Sequence, residues 1–298
     1  VSGERGAITV YQSECRKGPT ANARRRIVDI AVQEWAYFGF QTIDATEVTT
    51  RLLPRGLVPD RVNPRLPAPR IVRAYPRLGE LEYDTRLDKT ISGYWSATPD
   101  GARVLAEQNR AWNGPGGEQV NWVQPWSAAF VSWVMCEAGL GDMAQFRRSI
   151  AHRVYIDQAI RARDGMAPDA AFIAYDAGEA RIEPGDLLCN ARGGTDYRTL
   201  EDRRMELGRF APTHCDVVGK TDVWSGRLYV IGGNVVQSVS LTILPTRSTG
   251  FGYARPIDDS VIDGARTVFA HLKLQANAIE PGALDNSVVI RSLGHPTR

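Results

Sequence analysis

The sequence predicts one α+β domain, in which helices from the first half of the chain pack on an antiparallel sheet built by the second half. Apolar residues recur at helical spacing up to about residue 162, and the pattern changes to short apolar runs between turn residues after Pro184-Gly185-Asp186. The 298 residues are 43% hydrophobic and 23% charged, which excludes a globally disordered chain. We therefore predict a single domain over residues 1–298.

The helical half contains four predicted helices. Residues 21–38 form an amphipathic pattern that ends at Gly39, and residues 102–112 follow a turn. The strongest pattern runs from Pro125 to Gly139, with proline before the first turn and glycine just past the end. A further helix is predicted over residues 150–162. These helices supply the layer expected to cover the sheet.

Residues 49–90 interrupt this half. They include six prolines within 23 positions, a density that excludes a regular helix or a central strand. We predict an extended arm that lies on the surface of the domain or on a partner molecule.

The second half is predicted to form short strands. They are expected over residues 187–190, 215–220, 228–232 and 238–244, with a charged excursion over 197–209 between the first two. The pattern over 263–276 predicts a last helix, and residues 264–298 are assigned to this C-terminal helix and a polar tail.

Charge and composition narrow the classes of partner and cofactor. The 36 basic and 34 acidic side chains give a net charge of +2, so no nucleic-acid partner is expected, and the cluster Arg24-Arg25-Arg26 is interpreted as a solvated helix end. The sequence contains no run of 18 apolar residues, so we expect no membrane-spanning helix. The four cysteines lack the CxxC or CxxH spacing of zinc sites, and we predict no metal and no cofactor. One or two disulfides fit this number, with pairing left open.

Ser127 is the first candidate for chemistry. On a helical wheel, Phe130, Val131, Val134 and Ala138 lie within about 60° of it, so Ser127 starts the stripe that faces the core. A hydroxyl in the first turn meets free backbone N–H groups and the positive end of the helix dipole, which suits a nucleophile that builds an oxyanion. The alternative is a small packing residue.

His214 is the candidate base. It opens the strand over 215–220, and histidine is the side chain best suited to accept a proton near neutral pH. His152, at the start of the helix that contains Tyr155, is its competitor. Asp216, two residues along the same face, or Asn234, at the end of the next strand, is expected to orient the base.

These pieces together resemble a known group of enzymes. Pro125-Trp126-Ser127-Ala128-Ala129-Phe130, then Pro184-Gly185-Asp186-Leu187, His214 and Gly233-Asn234 follow the order found in papain-like cell-wall hydrolases of the CHAP and NlpC type. The sequence more closely resembles a related, uncharacterised bacterial domain family with serine in the nucleophile helix. The resemblance covers about residues 122–234. It implies a papain-like fold with Ser127 in the place of the cysteine, His214 as base and Asn234 as orienter.

The serine limits the mechanism that this resemblance implies. A helix dipole contributes at most ~2 kcal/mol, or about 1.5 pKa units, which is too little to ionise a hydroxyl at pH 7. Ser127 therefore needs His214 to remove its proton during attack. Trp122, Trp126, Tyr155 and His152 are expected to line the substrate groove.

Three functions follow as expectations. The first is a bacterial envelope hydrolase, periplasmic or secreted, that cleaves peptide or amide bonds of peptidoglycan. The second is a catalytically silent papain-like module that binds wall peptides or a protein partner. The third is a structural homodimer formed through the arm over residues 49–90.

Overall fold

The computed structural model describes all residues except 12–13, 47, 53–68, 74–78, 250–252, 257–266 and 294–298. Within these described residues the chain is a mixed α+β structure around a mostly antiparallel eight-stranded sheet. The helices are α1 (Ala23–Tyr37), α2 (Asp88–Ser96), α3 (Gly101–Trp112), α4 (Ser127–Glu137), α5 (Arg153–Arg163), α6 (Leu200–Arg204) and α7 (Val288–Leu293). The strands are β1 (Gln41–Asp44), β2 (Val48–Leu52), β3 (Pro69–Arg73), β4 (Phe172–Tyr175), β5 (Leu187–Ala191), β6 (Thr213–Asp222), β7 (Arg227–Val235), β8 (Ser238–Ser248), β9 (Ala254–Pro256) and β10 (Val268–Leu274).

The main sheet has the strand order β1-β8-β7-β6-β5-β10-β4, and β9 pairs with β8. Strand β1 runs parallel to β8, and the other paired neighbours are antiparallel. This confirms the predicted α+β class with an antiparallel sheet, apart from the parallel edge at β1. Helices α1 and α4 pack against β6 and β7 as well as against each other, so the start of α4 lies beside the centre of the sheet.

The helices predicted in the first half are confirmed to within a few residues as α1, α3, α4 and α5. The predicted arm over residues 49–90 extends too far, because a 3-10 turn over Thr85–Leu87 leads directly into α2 at Asp88. Strands β2 and β3 lie within the arm and form a separate two-stranded ladder. Residues 53–68 and 74–78, half of the arm proposed to form a dimer, lie outside the described residues.

The helix predicted over residues 263–276 is wrong, because residues 268–274 form strand β10 between β5 and β4. Phe269, Ala270 and Leu272 are buried on both faces of this interior strand. A strand buried on both sides has a continuous apolar run, which periodicity alone does not distinguish from a buried helix. His271 is also buried, and its Nε2 lies 2.7 Å from Asp186 Oδ2 across the sheet.

The arginine cluster is not simply a solvated helix end. Arg24 is only 1% exposed, and its guanidinium donates to Asp186 Oδ1 at 2.6 Å and to the Leu274 carbonyl at 2.6 Å. Burial raises the pKa of Asp186, but the hydrogen bond from His271 and the nearby positive charges outweigh burial and leave the pKa lowered. These buried contacts tie α1 to β5 and β10.

Two disulfides add covalent links. Cys15–Cys136 joins the N-terminal segment to α4, and Cys189–Cys215 joins the neighbouring strands β5 and β6. The first therefore holds the helix that Ser127 begins, and the second holds the strand that this helix packs against. Among the helices that the structure describes, none combines the length and the apolar character needed to cross a membrane.

Candidate functional site

Ser127 is the first residue of α4, and its side chain is 3% exposed. The helix begins after Pro125 and Trp126 and ends two residues before Gly139, whose φ of +98° is a left-handed conformation that favours glycine. Its interior residues are almost all buried, so α4 is held firmly against β6 and β7. Ser127 is therefore a fixed hydroxyl at the positive end of a buried helix.

The side chain of Ser127 forms a hydrogen bond with that of His152. Ser127 Oγ lies 2.7 Å from His152 Nε2, and His152, which immediately precedes α5, is 4% exposed. His214, the histidine predicted as the base, lies next to the ring of His152. Its ring centroid is 5.0 Å from that of His152, and its Nε2 lies 2.7 Å from Asp216 Oδ1. The structure thus brings Ser127 to the competitor histidine and joins His214 to Asp216.

The other nitrogen of His152 determines which atom carries the ring proton. The backbone N–H of Cys215 donates to His152 Nδ1 at 3.2 Å, and the Tyr155 hydroxyl also contacts Nδ1. An amide N–H only donates, so Nδ1 must hold a lone pair. We assign the proton of neutral His152 to Nε2 from this hydrogen-bond pattern.

This tautomer sets the direction of the contact with Ser127. His152 Nε2–H donates and Ser127 Oγ accepts, so the Ser127 hydroxyl hydrogen is directed elsewhere. General-base activation requires the opposite arrangement, with a lone pair on the imidazole nitrogen that faces the nucleophile. In this arrangement Ser127 is a positioned hydroxyl, and the nitrogen of His152 that faces it is a donor.

Asp216 lies close to both histidine-bearing segments. Burial, above all, and the negative charge of Asp216 raise the pKa of Tyr155 well above its usual value, so Tyr155 is neutral and able to donate. Asp216 fits because Gly232 has no side chain. A Cβ at Gly232 would overlap Asp216 Oδ1. The backbone of β7 therefore approaches this carboxylate more closely than a residue with a side chain at position 232 would permit.

The side chain of Asn234, the predicted orienter, forms its hydrogen bond with Glu82. Its Nδ2 donates to Glu82 Oε2 at 2.8 Å, and the same carboxylate accepts from Trp126 Nε1 at 2.7 Å. Burial raises the pKa of Glu82, and these two hydrogen bonds oppose the effect. The pairing of β6 with β7 begins at Val217↔Ile231, and β7 shifts register between Gly232 and Val235. Asn234, with φ +55°, falls in this irregular stretch and so turns toward Glu82.

A cavity of about 300 Å³, which we call the Ser127 groove, opens beside this network. Its walls include the following residues: Trp95, Gln124, Pro125, Ser127, Ala128, Ile150, Ala151, His152, Arg192, Phe210, Ala211, Pro212 and Thr213. Of the four residues expected to line a groove, His152 does so. The aromatic walls are instead Trp95 and Phe210, and Phe210 is 82% exposed.

The three expected aromatic wall residues lie in the core. Trp122 packs edge-on against Trp112 at 5.2 Å, Trp126 stacks on Tyr94 at 5.7 Å, and Tyr155 stacks on Phe146 at 4.8 Å. Sequence reasoning missed Arg192, Phe210 and Thr213, because they come from loops and a strand end with no periodic pattern. For Phe210 and Thr213, the available signal was their position just before His214.

The described residues contain no group of three or more histidine, cysteine, aspartate or glutamate side chains arranged to hold a metal ion. Two further cavities on the described surface, at Arg181–Ile182 with Thr221 and at Met143 with Arg161, contain neither Ser127 nor a histidine. The polar network at the start of α4 is therefore the candidate site.

The fold and this network define an α+β protein with a buried serine–histidine contact beside a groove. Residues 82–274 match the family described as "Uncharacterized protein conserved in bacteria (DUF2272)", and the chain belongs to this family. The matched range contains Ser127, His152, Tyr155, His214 and Asp216. No curated protein and no solved structure matches the chain.

Proposed function

We propose that this bacterial protein is a papain-like module of the cell envelope that binds wall peptides in the Ser127 groove without cleaving them through Ser127. The observation that carries the proposal is the hydrogen bond from the Cys215 backbone N–H to His152 Nδ1. It leaves the proton on Nε2, so the histidine beside Ser127 donates and does not accept.

The volume and the lining of the groove fit a small ligand. Its volume of about 300 Å³ lies at the lower end of the range for ligand pockets, which run from about 300 to 1,000 Å³. The walls combine the aromatic residues Trp95 and Phe210 with polar groups at Ser127 and Thr213. An apolar cleft with a few fixed polar groups is typical of a site that orients a short peptide segment.

The envelope location rests on the cysteines. All four pair into two disulfides, and disulfides persist in oxidising compartments such as the bacterial periplasm or the exterior. A reducing bacterial cytoplasm would keep these four cysteines as free thiols. In these oxidising compartments the protein would meet peptidoglycan, a polymer that carries short peptides.

The second candidate is a serine hydrolase, and it is favoured by the 2.7 Å contact between Ser127 and His152 at a helix N-terminus. It requires the ring proton on Nδ1, with the Tyr155 hydroxyl as acceptor and with the hydrogen bond from the Cys215 N–H broken. Ser127 Oγ would then attack the amide carbon while Nε2 takes the hydroxyl proton and passes it to the leaving amine, and water would hydrolyse the acyl-enzyme.

A fluorophosphonate probe separates the two candidates. We expect no labelling of Ser127 by intact-protein and peptide mass spectrometry, and no release of soluble fragments from purified peptidoglycan, while the protein sediments with the insoluble polymer. The variant Ser127→Ala should sediment equally or more weakly, and Ser292→Ala, an exposed serine on α7, serves as the control. Labelling of wild type at Ser127 that Ser127→Ala abolishes would establish the hydrolase.

A further inference from the structure

We infer that the Ser127 groove receives the carboxylate end of a peptide, with Thr213 and Arg192 as the residues that recognise it. This inference rests on the proposed peptide binding and adds the chemical group that the groove selects. It starts from two buried polar atoms whose hydrogen-bonding capacity is unused.

Thr213 and Trp95 both line the groove, and they are 8% and 0% exposed. Within the described part of the chain, Thr213 Oγ1 and Trp95 Nε1 are buried atoms with no hydrogen-bond partner. Buried polar atoms are nearly always paired, because a buried donor or acceptor without a partner loses its hydrogen bonds to water and gains none in return. Both atoms belong to residues that line this one cavity, so an acceptor on a ligand bound there would supply the partner that each of them lacks.

The charge of the groove favours a negatively charged acceptor. Its lining contains the cation Arg192 and no aspartate or glutamate among the described residues. The start of α4 faces the same space through Ser127 and Ala128, and its unpaired N–H groups and dipole favour an anion. Guanidinium, hydroxyl, indole N–H and helix N–H groups are all donors. A carboxylate is the acceptor-only group that a peptide carries at its end.

The occupant is limited to a chain end by the size of the cavity. A volume of about 300 Å³ holds a short segment, and the exposed Phe210 contributes to the wall beside Thr213. A peptide that entered with its C-terminal residue would place its carboxylate at the donors and leave the preceding residues beside Phe210.

Isothermal titration calorimetry with acetyl-Ala-Ala tests the inference, in L and D forms and as the free acid and the C-terminal amide. We expect the acid to bind at least tenfold more tightly than the amide, because hydrogen bonds to charged groups contribute about 1.5–3 kcal/mol. Arg192→Gln and Thr213→Val should each weaken acid binding about tenfold and leave amide binding unchanged. Arg209→Gln, an exposed arginine next to Phe210, and Thr213→Ser, which keeps the hydroxyl, are the matched controls.

Thr213→Val has a second readout that a structural role would not give. Because Thr213 Oγ1 has no partner among the described residues, its removal should leave the stability of the ligand-free protein unchanged or raised while acid binding falls. Equal affinity for acid and amide, or unchanged acid binding by both variants, overturns the inference and leaves peptide binding intact. If neither dipeptide binds, the inference fails; sedimentation with peptidoglycan then decides whether the proposed function fails with it.

Discussion

At the scale of single residues, Glu34 is the buried carboxylate with the clearest consequence for stability. It lies on α1 with 6% exposure, and its Oε2 accepts a hydrogen bond from the Tyr94 hydroxyl. Burial raises its pKa from 4.5 to about 6, and the hydrogen bond from Tyr94 only partly opposes burial. Tyr94 in turn stacks on Trp126, directly before Ser127, so this carboxylate lies under the start of α4.

The raised pKa fixes the sign of a pH dependence. The protonated form suits the fold, so the contribution of Glu34 to stability is complete below pH 4.5 and is lost as the pH rises through about 6. The loss amounts to about 2 kcal/mol. Urea unfolding at pH 5 and pH 7.5 should show Glu34→Gln stabilised relative to wild type only at the higher pH. Glu14→Gln, an exposed glutamate, is the control, and parallel pH profiles of wild type and Glu34→Gln would contradict the argument.

The sequence predicted some of the candidate site because it carries local signals. Ser127 at the start of α4 follows from the proline, the glycine and the apolar stripe, and the contact of His214 with Asp216 follows from their i, i+2 spacing on β6. The contact between Ser127 and His152 joins two helix starts 25 residues apart, and no local pattern specifies it. The Cys215 N–H that sets the tautomer is a backbone group, which the sequence does not mark at all.

At the scale of secondary-structure elements, Gly232 on β7 is the position where backbone geometry supports the site. A methyl group there would overlap Asp216 Oδ1 and also approach Val235 Cγ2 at 2.9 Å. Gly232→Ala should therefore displace Asp216 and break its 2.7 Å contact with His214. The expected readout is a change in the 15N chemical shifts of the His214 imidazole, with a loss of stability.

Gly93 provides the matched control for that substitution. It lies inside α2, and a Cβ there meets only Val1 Cγ2 at 3.8 Å, an ordinary contact. Gly93→Ala should leave the His214 signals unchanged and stabilise the helix by up to about 1 kcal/mol. Unchanged imidazole signals in Gly232→Ala would show that Asp216 does not depend on the close approach of β7.

The elements that the sequence predicted least well are the ones that lack a local signal. Strand β10 lies between β5 and β4, and the alternation that identifies a half-exposed strand is absent from it. Strand β1 pairs in parallel with β8. This contact joins distant parts of the chain, and no hairpin turn in the sequence indicates it. Strands β5 to β8, each followed by turn residues, were predicted nearly within their observed bounds.

At the scale of the whole molecule, the two disulfides close loops of very different length. Cys15 and Cys136 are 121 residues apart in sequence, whereas Cys189 and Cys215 are 26 apart. The first ties the N-terminal segment to the helix that carries Ser127. The second joins adjacent strands that the sheet already holds together, and it includes the residue whose N–H reaches His152.

The loop lengths predict which link stabilises the fold more. The loop-closure relation gives about 5 kcal/mol for the longer loop and about 3.5 kcal/mol for the shorter one, because a longer crosslinked loop restricts the unfolded chain more. Cys15→Ser/Cys136→Ser should therefore lower the free energy of unfolding by about 1.5 kcal/mol more than Cys189→Ser/Cys215→Ser, as measured by urea unfolding of both double variants with the remaining disulfide intact. The reverse order would mean that the β5–β6 link acts mainly on the folded state, through the position of Cys215. In that case the shorter link, rather than the longer, would set the geometry of His152, and the same variant should also alter the His152 imidazole signals.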